Sequence, residues 1–162
     1  MPEVRLIAAI DSKNGIAKSE PKSPGIIPWD LPTDRQYFRE TVRNGPVVMG
    51  WNTYVASGRK PIGAGENIIF THKDVLVNGA TIIRDGREYF KHVNQDVWVV
   101  GGSQIYQLAL PYATELYITR VYGDYDCDSL FPDFSHSFEQ VHTERVMKEN
   151  NIEFQYQIWK RM

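Results

Sequence analysis

Residues 28–38 read PWDLPTDRQYF, a stretch that predicts a loop leading directly into a helix. Pro32 suits the first helical turn, where a backbone N–H has no partner within the helix. The helix is expected to run to about Val42, because the Asn-Gly-Pro sequence at 44–46 is a typical stop signal. Asp34 then falls in the first turn, on the same face as apolar residues that follow at helical spacing.

Asp34 is the candidate acid of this segment. If it faces an apolar cleft beside Trp29 and Phe38, desolvation raises the pKa of its carboxyl group. Such an acid is also a good partner for a flat ligand that presents two adjacent N–H donors. The alternative is a solvated carboxylate at a helix start, which the helix dipole tolerates. This segment alone leaves both interpretations open.

Bulk composition is that of a soluble globular protein, with 42% hydrophobic and 23% charged residues among 162. This length predicts a single domain, residues 1–162. The net charge of −2 gives no indication of a nucleic-acid or membrane partner. Cys127 is the one cysteine, which excludes an internal disulfide and fits a reducing compartment. We therefore expect a cytoplasmic protein.

No metal site is expected. The four histidines lack metal-ligand spacing, and the acidic loop at 124–128 lacks the glycine and the terminal glutamate of a calcium loop.

Short buried runs alternating with helical segments predict an α/β fold, with a mostly parallel sheet of about eight strands. About four helices should cover both faces, and residues 139–146 and 152–159 should form an antiparallel C-terminal hairpin joined by 148–151. Residues 11–27 are rich in turn formers and are interpreted as a long loop, typical of a lid over a binding site. The other predicted strands are at 4–10, 46–50, 67–71, 81–83, 97–100 and 115–121.

Two predicted strands end in glycine and lead into helices. One ends at Gly50, and the other ends at Gly101-Gly102. Glycines let backbone N–H groups approach a ligand closely, and a helix start can hold a pyrophosphate. The usual G-x-G-x-x-G dinucleotide fingerprint is absent, and a tight turn alone is the alternative explanation.

The order of these motifs is specific. Trp29-x-Leu-Pro-x-Asp34 is followed by the strand at 46–50 and then by Gly101-Gly102-x-x-Ile-Tyr106. Across almost the whole chain this resembles the dihydrofolate reductase family. The resemblance implies that family's fold, dihydrofolate as substrate, and its reduction to tetrahydrofolate by hydride transfer from NADPH in one-carbon metabolism. It also implies a monomer.

The resemblance also assigns roles to residues. Asp34 matches the family's essential carboxylate, Thr119 braces it, Trp29 helps to hold a water, and Ile27 matches the apolar tip of a mobile lid. Asp128 matches a loop acid that steadies the lid. The expected substrate-binding residues are Ile7, Ala9, Asp34, Phe38, Ser57, Ile62, Val100 and Thr119. The expected cofactor-binding residues are Ala9, Ile16, Ala17, Gly50, Trp51, Asn52, Thr53, Phe70, Thr71, His72, Val100, Gly101, Gly102, Ser103, Gln104, Ile105 and Tyr106.

Two departures concern the lid and the cofactor. The lid is several residues longer than in common bacterial members and carries Pro21, Pro24 and Gly25. Trp51 stands where many members of the family place an arginine that binds the 2′-phosphate of NADPH. The segment 71–73 could supply contacts to this phosphate instead. Trp51 itself could stack on the adenine ring. We expect NADPH to be preferred over NADH, but less strongly than usual.

A third departure concerns the substrate tail. The family usually has an arginine just before the Asn-Ile-Ile strand, and here that place holds Gly65 and Glu66. Arg39, Arg59 or Lys60 could take over its contact with the glutamate tail. We expect weak discrimination between dihydrofolate and tail-less dihydropterins.

Two competing interpretations remain at this point. One is a reductase of the same fold that acts on a tail-less pterin or a pyrimidine, supported by the missing arginine. The other is a non-catalytic NADP-binding module that has kept the fold and lost turnover.

Overall fold

The computed structural model describes the chain except Pro21 and Lys22, and except the side chains of residues 20 and 23–25. Its strands are Val4–Ile10 (β1), Gly15–Glu20 (β2), Ser23–Ile26 (β3), Val47–Gly50 (β4), Asn67–Phe70 (β5), Ala80–Ile83 (β6), Val97–Val99 (β7), Glu115–Val121 (β8), Ser129–Leu130 (β9), Phe138–Thr143 (β10), Met147–Glu149 (β11) and Ile152–Arg161 (β12). Its helices are Pro32–Thr41 (α1), Trp51–Ala56 (α2), Gly86–Lys91 (α3) and Ser103–Ala109 (α4), with a 3₁₀ turn at Leu110–Tyr112.

The main sheet has the order β10-β12-β8-β1-β7-β4-β5-β6. The strands from β8 to β6 pair in parallel, while β12 is antiparallel to β8 and to β10. The short strand β11 also pairs with β12. This confirms the predicted α/β fold, with an eight-stranded path that is mostly parallel and antiparallel at its C-terminal end.

Alternation along β1 divides the core into two faces. Leu6 and Ile10 pack on the face covered by α3 and α4, where Phe90 is 1% exposed. Ile7 points to the opposite face and packs with residues of α1 and α2. Because successive strand residues point to opposite faces, a central strand with both faces covered must be apolar throughout. The expected helices on both faces are therefore confirmed.

The prediction of a structureless loop over residues 11–27 is wrong. β2 and β3 pair as an antiparallel hairpin, and β9 pairs with the other edge of β2. The sequence of this hairpin shows no clear alternation of apolar and polar residues, and Pro24 and Gly25 are poor strand formers. Local sequence preferences therefore do not predict the hairpin. Its pairing partners are distant in sequence: Asp128 accepts a hydrogen bond from the Ser19 backbone N–H at 3.0 Å. Pro21 of the predicted lid lies outside the described residues.

The C-terminal hairpin also differs in detail from the prediction. β10 ends at Thr143, and the separate strand β11 pairs with the first part of β12. Asn150 and Asn151 form the connecting turn with φ of 52° and 62°. Asparagine tolerates this left-handed region, so the two residues permit a tight hairpin that an alternation pattern alone does not reveal.

Gly65 occupies a turn that has no room for a side chain. A Cβ atom there would overlap the Gly45 carbonyl group and lie 3.1 Å from the Asn44 carbonyl oxygen. The buried Asn67 side chain fixes the same turn by accepting from the Ile62 N–H at 2.9 Å. An arginine at position 65 is therefore excluded by sterics in this backbone.

We expect Gly65→Ala to lower the free energy of unfolding by about 1–3 kcal/mol, because overpacking against backbone atoms forces a local shift. Urea denaturation measures the effect. Ala64→Ser is the matched control, since Ala64 is exposed and should tolerate a hydroxyl group. Equal midpoints for both variants and the wild type would show that the turn adapts without cost.

Candidate active site

Asp34 and Thr119 form the polar centre of the site. The Thr119 Oγ1 hydroxyl donates a hydrogen bond of 2.7 Å to Asp34 Oδ1 and joins the first turn of α1 to β8. Thr119 is 3% exposed and Asp34 is half-buried. Burial raises the pKa of the Asp34 carboxyl group, while the Thr119 hydrogen bond and the Arg35 charge act in the opposite direction. The structure therefore places Asp34 in a desolvated setting rather than in bulk solvent.

Aromatic rings surround this pair. Trp29 is 7% exposed and meets Tyr125 edge to face, with ring centroids 5.3 Å apart. Tyr37 stacks on Tyr156 at 4.0 Å. Tyr156 is the cross-strand neighbour of Thr119 in the β8–β12 pair, so their side chains share one face of the sheet.

Tyr37 and Tyr156 were missed by sequence reasoning. Tyr37 carried a usable signal, because it lies three residues after Asp34 on the same helix. Tyr156 carried none, since the register of β8 against β12 is a property of the folded chain.

Several of the predicted substrate-binding residues come together. Ile7, Phe38, Ile62 and Val100 belong to one apolar cluster on the α1 and α2 face of the sheet. Ala9 packs instead beside the cluster that contains Trp29. Ser57 lies at the end of α2, where its hydroxyl group donates to the Tyr54 carbonyl at 2.6 Å.

The two glycine junctions lie side by side. β4 and β7 are adjacent parallel strands, and the Gly50 N–H donates to the Gly101 carbonyl oxygen at 2.8 Å. Gly101 has φ of 122°, which favours glycine, and the peptide bond between Gly101 and Gly102 is cis. A Cβ on Gly102 would approach only Thr53 Oγ1, at 3.8 Å, and would project into an otherwise open space. The bare backbone at the carboxyl ends of parallel strands suits a ligand that approaches closely, such as a dinucleotide.

The remaining predicted cofactor residues fall into buried and exposed groups. Ile105, Tyr106 and Phe70 are buried, and the Tyr106 hydroxyl donates to the Ile7 carbonyl at 2.6 Å. Burial raises the pKa of Tyr106 above its usual range, so this hydroxyl keeps its proton. Phe70 packs against the aromatic side chains of α3. Trp51, Thr53, Thr71, Ser103, Ile16 and Ala17 are half-buried, while Asn52, His72 and Gln104 are exposed.

Trp51 has a cationic neighbour. The Arg59 guanidinium carbon lies 5.4 Å from the centroid of the Trp51 ring. Ser103 is held by donation of its hydroxyl group to the Leu130 carbonyl at 2.7 Å, which links α4 to β9. This edge of the site therefore presents an aromatic face with a positive charge beside it.

Ile27 and the adjoining hairpin lie at the surface. Ile27 is 58% exposed and Ile26 is 42% exposed. Asp128 accepts from both the backbone N–H and the hydroxyl group of Ser19, so the acid is joined to β2 as the resemblance suggested.

A groove of about 500 Å³ opens beside the second half of α1. Arg39 and Arg43 lie one turn apart along it, and both are exposed. The lining residues are Gln36, Arg39, Glu40, Arg43, Gly63 and Ala64.

Over residues 1–20 and 23–162, no cluster of His, Cys, Asp and Glu side chains is arranged to hold a metal ion. Within the same ranges, no helix has the length and apolar character needed to cross a membrane.

Comparison with known proteins agrees with this geometry. A sequence model of the dihydrofolate reductase family matches residues 3–161. Dihydrofolate reductase of Enterococcus faecium is 32% identical over 159 residues, which cover 93% of this chain and 92% of that protein. The Bacillus subtilis (strain 168) enzyme is 28% identical over 158 residues, covering 95% of this chain and 90% of its own length.

A solved structure has the same fold. Dihydrofolate reductase from Enterococcus faecalis, complexed with NADP(H) and RAB-propyl, matches with a TM-score of 0.83 at 24% identity, over 98% of this chain and 96% of that one. The family model and the identity to the Enterococcus faecium enzyme together show that this chain belongs to the dihydrofolate reductase family.

Proposed function

We propose that this protein reduces 7,8-dihydrofolate to 5,6,7,8-tetrahydrofolate with NADPH. One observation carries the proposal: a half-buried acid, Asp34, accepts a hydrogen bond from Thr119, whose cross-strand neighbour Tyr156 stacks on Tyr37. Membership of the family supports it. A cytoplasmic location, a monomeric state and the absence of nucleic-acid partners stay predictions from the sequence.

The roles of the chain's own residues follow from the geometry. The reaction adds a hydride and a proton across the C6–N5 double bond of dihydrofolate. The Asp34 carboxyl group binds the adjacent N–H donors of the pterin and promotes protonation at N5, and Thr119 fixes its orientation. The apolar cluster with Ile7, Phe38 and Val100 holds the flat ring and excludes water.

The residues present fit a dinucleotide cofactor. Gly101 and Gly102 offer a bare backbone beside Thr53, and Ser103 and Gln104 begin the next helix. NADPH supplies the hydride when it is bound. The Enterococcus faecalis structure of the same fold is a complex with NADP(H), which supports this assignment.

The two competing interpretations have less support. Because Gly65 cannot supply a tail-binding arginine, a tail-less pterin or a pyrimidine remains a candidate substrate. Membership of the dihydrofolate reductase family does not favour this alternative substrate. A binding module without turnover would have no need of the Thr119–Asp34 hydrogen bond inside the cleft.

Asp34→Asn tests the proposed function. We expect NADPH oxidation with dihydrofolate at pH 7 to fall by about 10²–10⁴-fold, because the variant cannot supply the proton. Glu88→Gln, an exposed acid on α3, is the matched control and should keep full activity. Turnover of Asp34→Asn at the wild-type rate would refute the role of this acid, and a wild type that binds NADPH without turnover would indicate the binding module.

Measuring the stability of Asp34→Asn shows whether its loss of activity comes from the missing acid or from unfolding. Burial raises the pKa of Asp34 above its unfolded value of 3.8, so the proton contributes stability below that pH. This contribution is lost as the pH rises through the folded pKa. At pH 7 the variant should therefore be at least as stable as the wild type in urea, although its activity is lost.

Cofactor preference gives a further prediction. We expect kcat/KM to favour NADPH over NADH modestly, because Trp51 brings no charge of its own to the 2′-phosphate. Trp51→Arg should raise the NADPH-to-NADH ratio about tenfold or more, since a charge-assisted hydrogen bond contributes about 1.5–3 kcal/mol. Trp51→Phe keeps an aromatic ring and is the control. Equal efficiency of the wild type with both cofactors would contradict the preference.

Recognition of the substrate's glutamate tail gives another prediction. Exposed ion pairs contribute about 0–1 kcal/mol, so Arg39 and Arg43 should favour dihydrofolate over a tail-less dihydropterin by less than about tenfold in kcat/KM. The double variant Arg39→Ala/Arg43→Ala should lose that preference and keep the wild-type kcat/KM for the tail-less dihydropterin. Lys91→Ala on α3 is the control. A preference far above tenfold in the wild type would show that another group replaces the missing arginine.

A further inference from the structure

We propose that Glu149, on β11, is a positioning residue for Asp34. Its carboxylate holds the first turn of α1 from a strand more than a hundred residues away in sequence. This inference rests on the proposed function, since it concerns how the proposed acid is held. Family membership alone does not assign Glu149 a role.

The first turn of α1 lacks a cap of its own. The N-cap residue is Leu31, which makes no side-chain hydrogen bond, and Pro32 has no N–H to donate. Glu149 supplies the missing acceptor with both carboxylate oxygens. Oε1 accepts from the Thr33 N–H at 3.1 Å and Oε2 accepts from the Thr33 hydroxyl at 2.6 Å. Because Thr33 directly precedes Asp34, this two-point contact fixes the backbone that carries the acid.

A second contact from the same turn reinforces the first. Asn150 donates its side-chain N–H to the Asp30 carbonyl at 3.0 Å. The β11–β12 turn therefore holds the chain on both sides of the Leu31–Pro32 junction. The same hairpin continues along β12 to Tyr156, beside Thr119. One hairpin thus aligns the helix that carries Asp34 with the strand that braces it.

The charges around Asp34 give Glu149 an electrostatic role as well. Arg35, the α1 cation whose charge lowers the pKa of Asp34, also pairs with Asp30 at 2.6 Å. From the sheet, Thr119 donates a hydrogen bond and Tyr156 presents its ring, and Tyr37 on α1 stacks on Tyr156. Burial raises the pKa of both tyrosines, so their hydroxyl groups stay neutral.

Burial is the main cause of the raised pKa of Asp34, and the charge of the Glu149 carboxylate acts in the same direction. Arg145 and Lys148 line the same groove as Glu149. Loss of the Glu149 charge should therefore let Asp34 lose its proton at lower pH.

The test uses two substitutions on the full chain. Glu149→Gln keeps an acceptor for Thr33 and removes the charge, and Glu149→Ala removes both. Glu153→Gln, an exposed acid on β12, is the matched control. The readouts are the pH dependence of kcat and KM for NADPH oxidation with dihydrofolate, and the titration of Asp34 followed by carbon-13 NMR.

We expect the titration midpoint of Asp34 to move to lower pH in Glu149→Gln, with kcat at low pH close to the wild type. The difference should shrink in 1 M KCl, where the screening length is about 3 Å. Glu149→Ala should show the same shift and, in addition, a kcat about tenfold lower with little change in KM, because the acid is displaced. A residue that acted on stability alone would lower the melting temperature and leave the Asp34 titration unchanged.

Two results would overturn the proposal: an Asp34 midpoint equal in the wild type and Glu149→Gln, or a kcat of Glu149→Ala within twofold of the wild type. Failure of the proposed function is separate, because the NMR titration needs no turnover. A wild type without reductase activity would refute the function, and the titration would still report whether Glu149 acts on Asp34.

Discussion

The hydrogen bond from Thr119 to Asp34 is the interaction on which the site depends, because it joins a helix outside the sheet to a strand inside it. A carboxyl group in an apolar cleft is unfavourable when ionised unless a partner orients it and repays part of its desolvation. Thr119 supplies that partner from a position that is itself buried between β1 and β12. The location of the acid is thus set by strand register rather than by the helix alone.

The same sheet provides the second half of the site. β7 lies beside β1 and β4 lies beside β7, and the carboxyl ends of these two strands lead to the glycines at 101 and 50. The Tyr106 hydroxyl connects this half to the first through the Ile7 carbonyl. A bare backbone on one side and a single acid on the other are the two features that hydride transfer between flat rings requires of a protein.

Local sequence was sufficient for most elements, whereas Asp34 was a candidate acid whose role came from the family resemblance. Pro32 and the 44–46 stop signal placed α1 within a residue of its observed end, and the buried strands followed from short apolar runs. The β2–β3 hairpin could not be predicted, because its stability comes from distant partners such as Asp128. Tyr156 and Glu149 were missed for the same reason: each reaches the site through the pairing of β12, which no local pattern reports.

Gly65 has a consequence for the evolution and redesign of this protein. Its turn is closed by backbone carbonyls, so a single substitution cannot place an arginine side chain at this position without moving the backbone. Selection or design for recognition of an acidic tail would have to start from the exposed end of α1, where side chains can change without disturbing the core. The close packing at Gly65 thus makes the exposed residues of α1 more accessible to redesign than this turn.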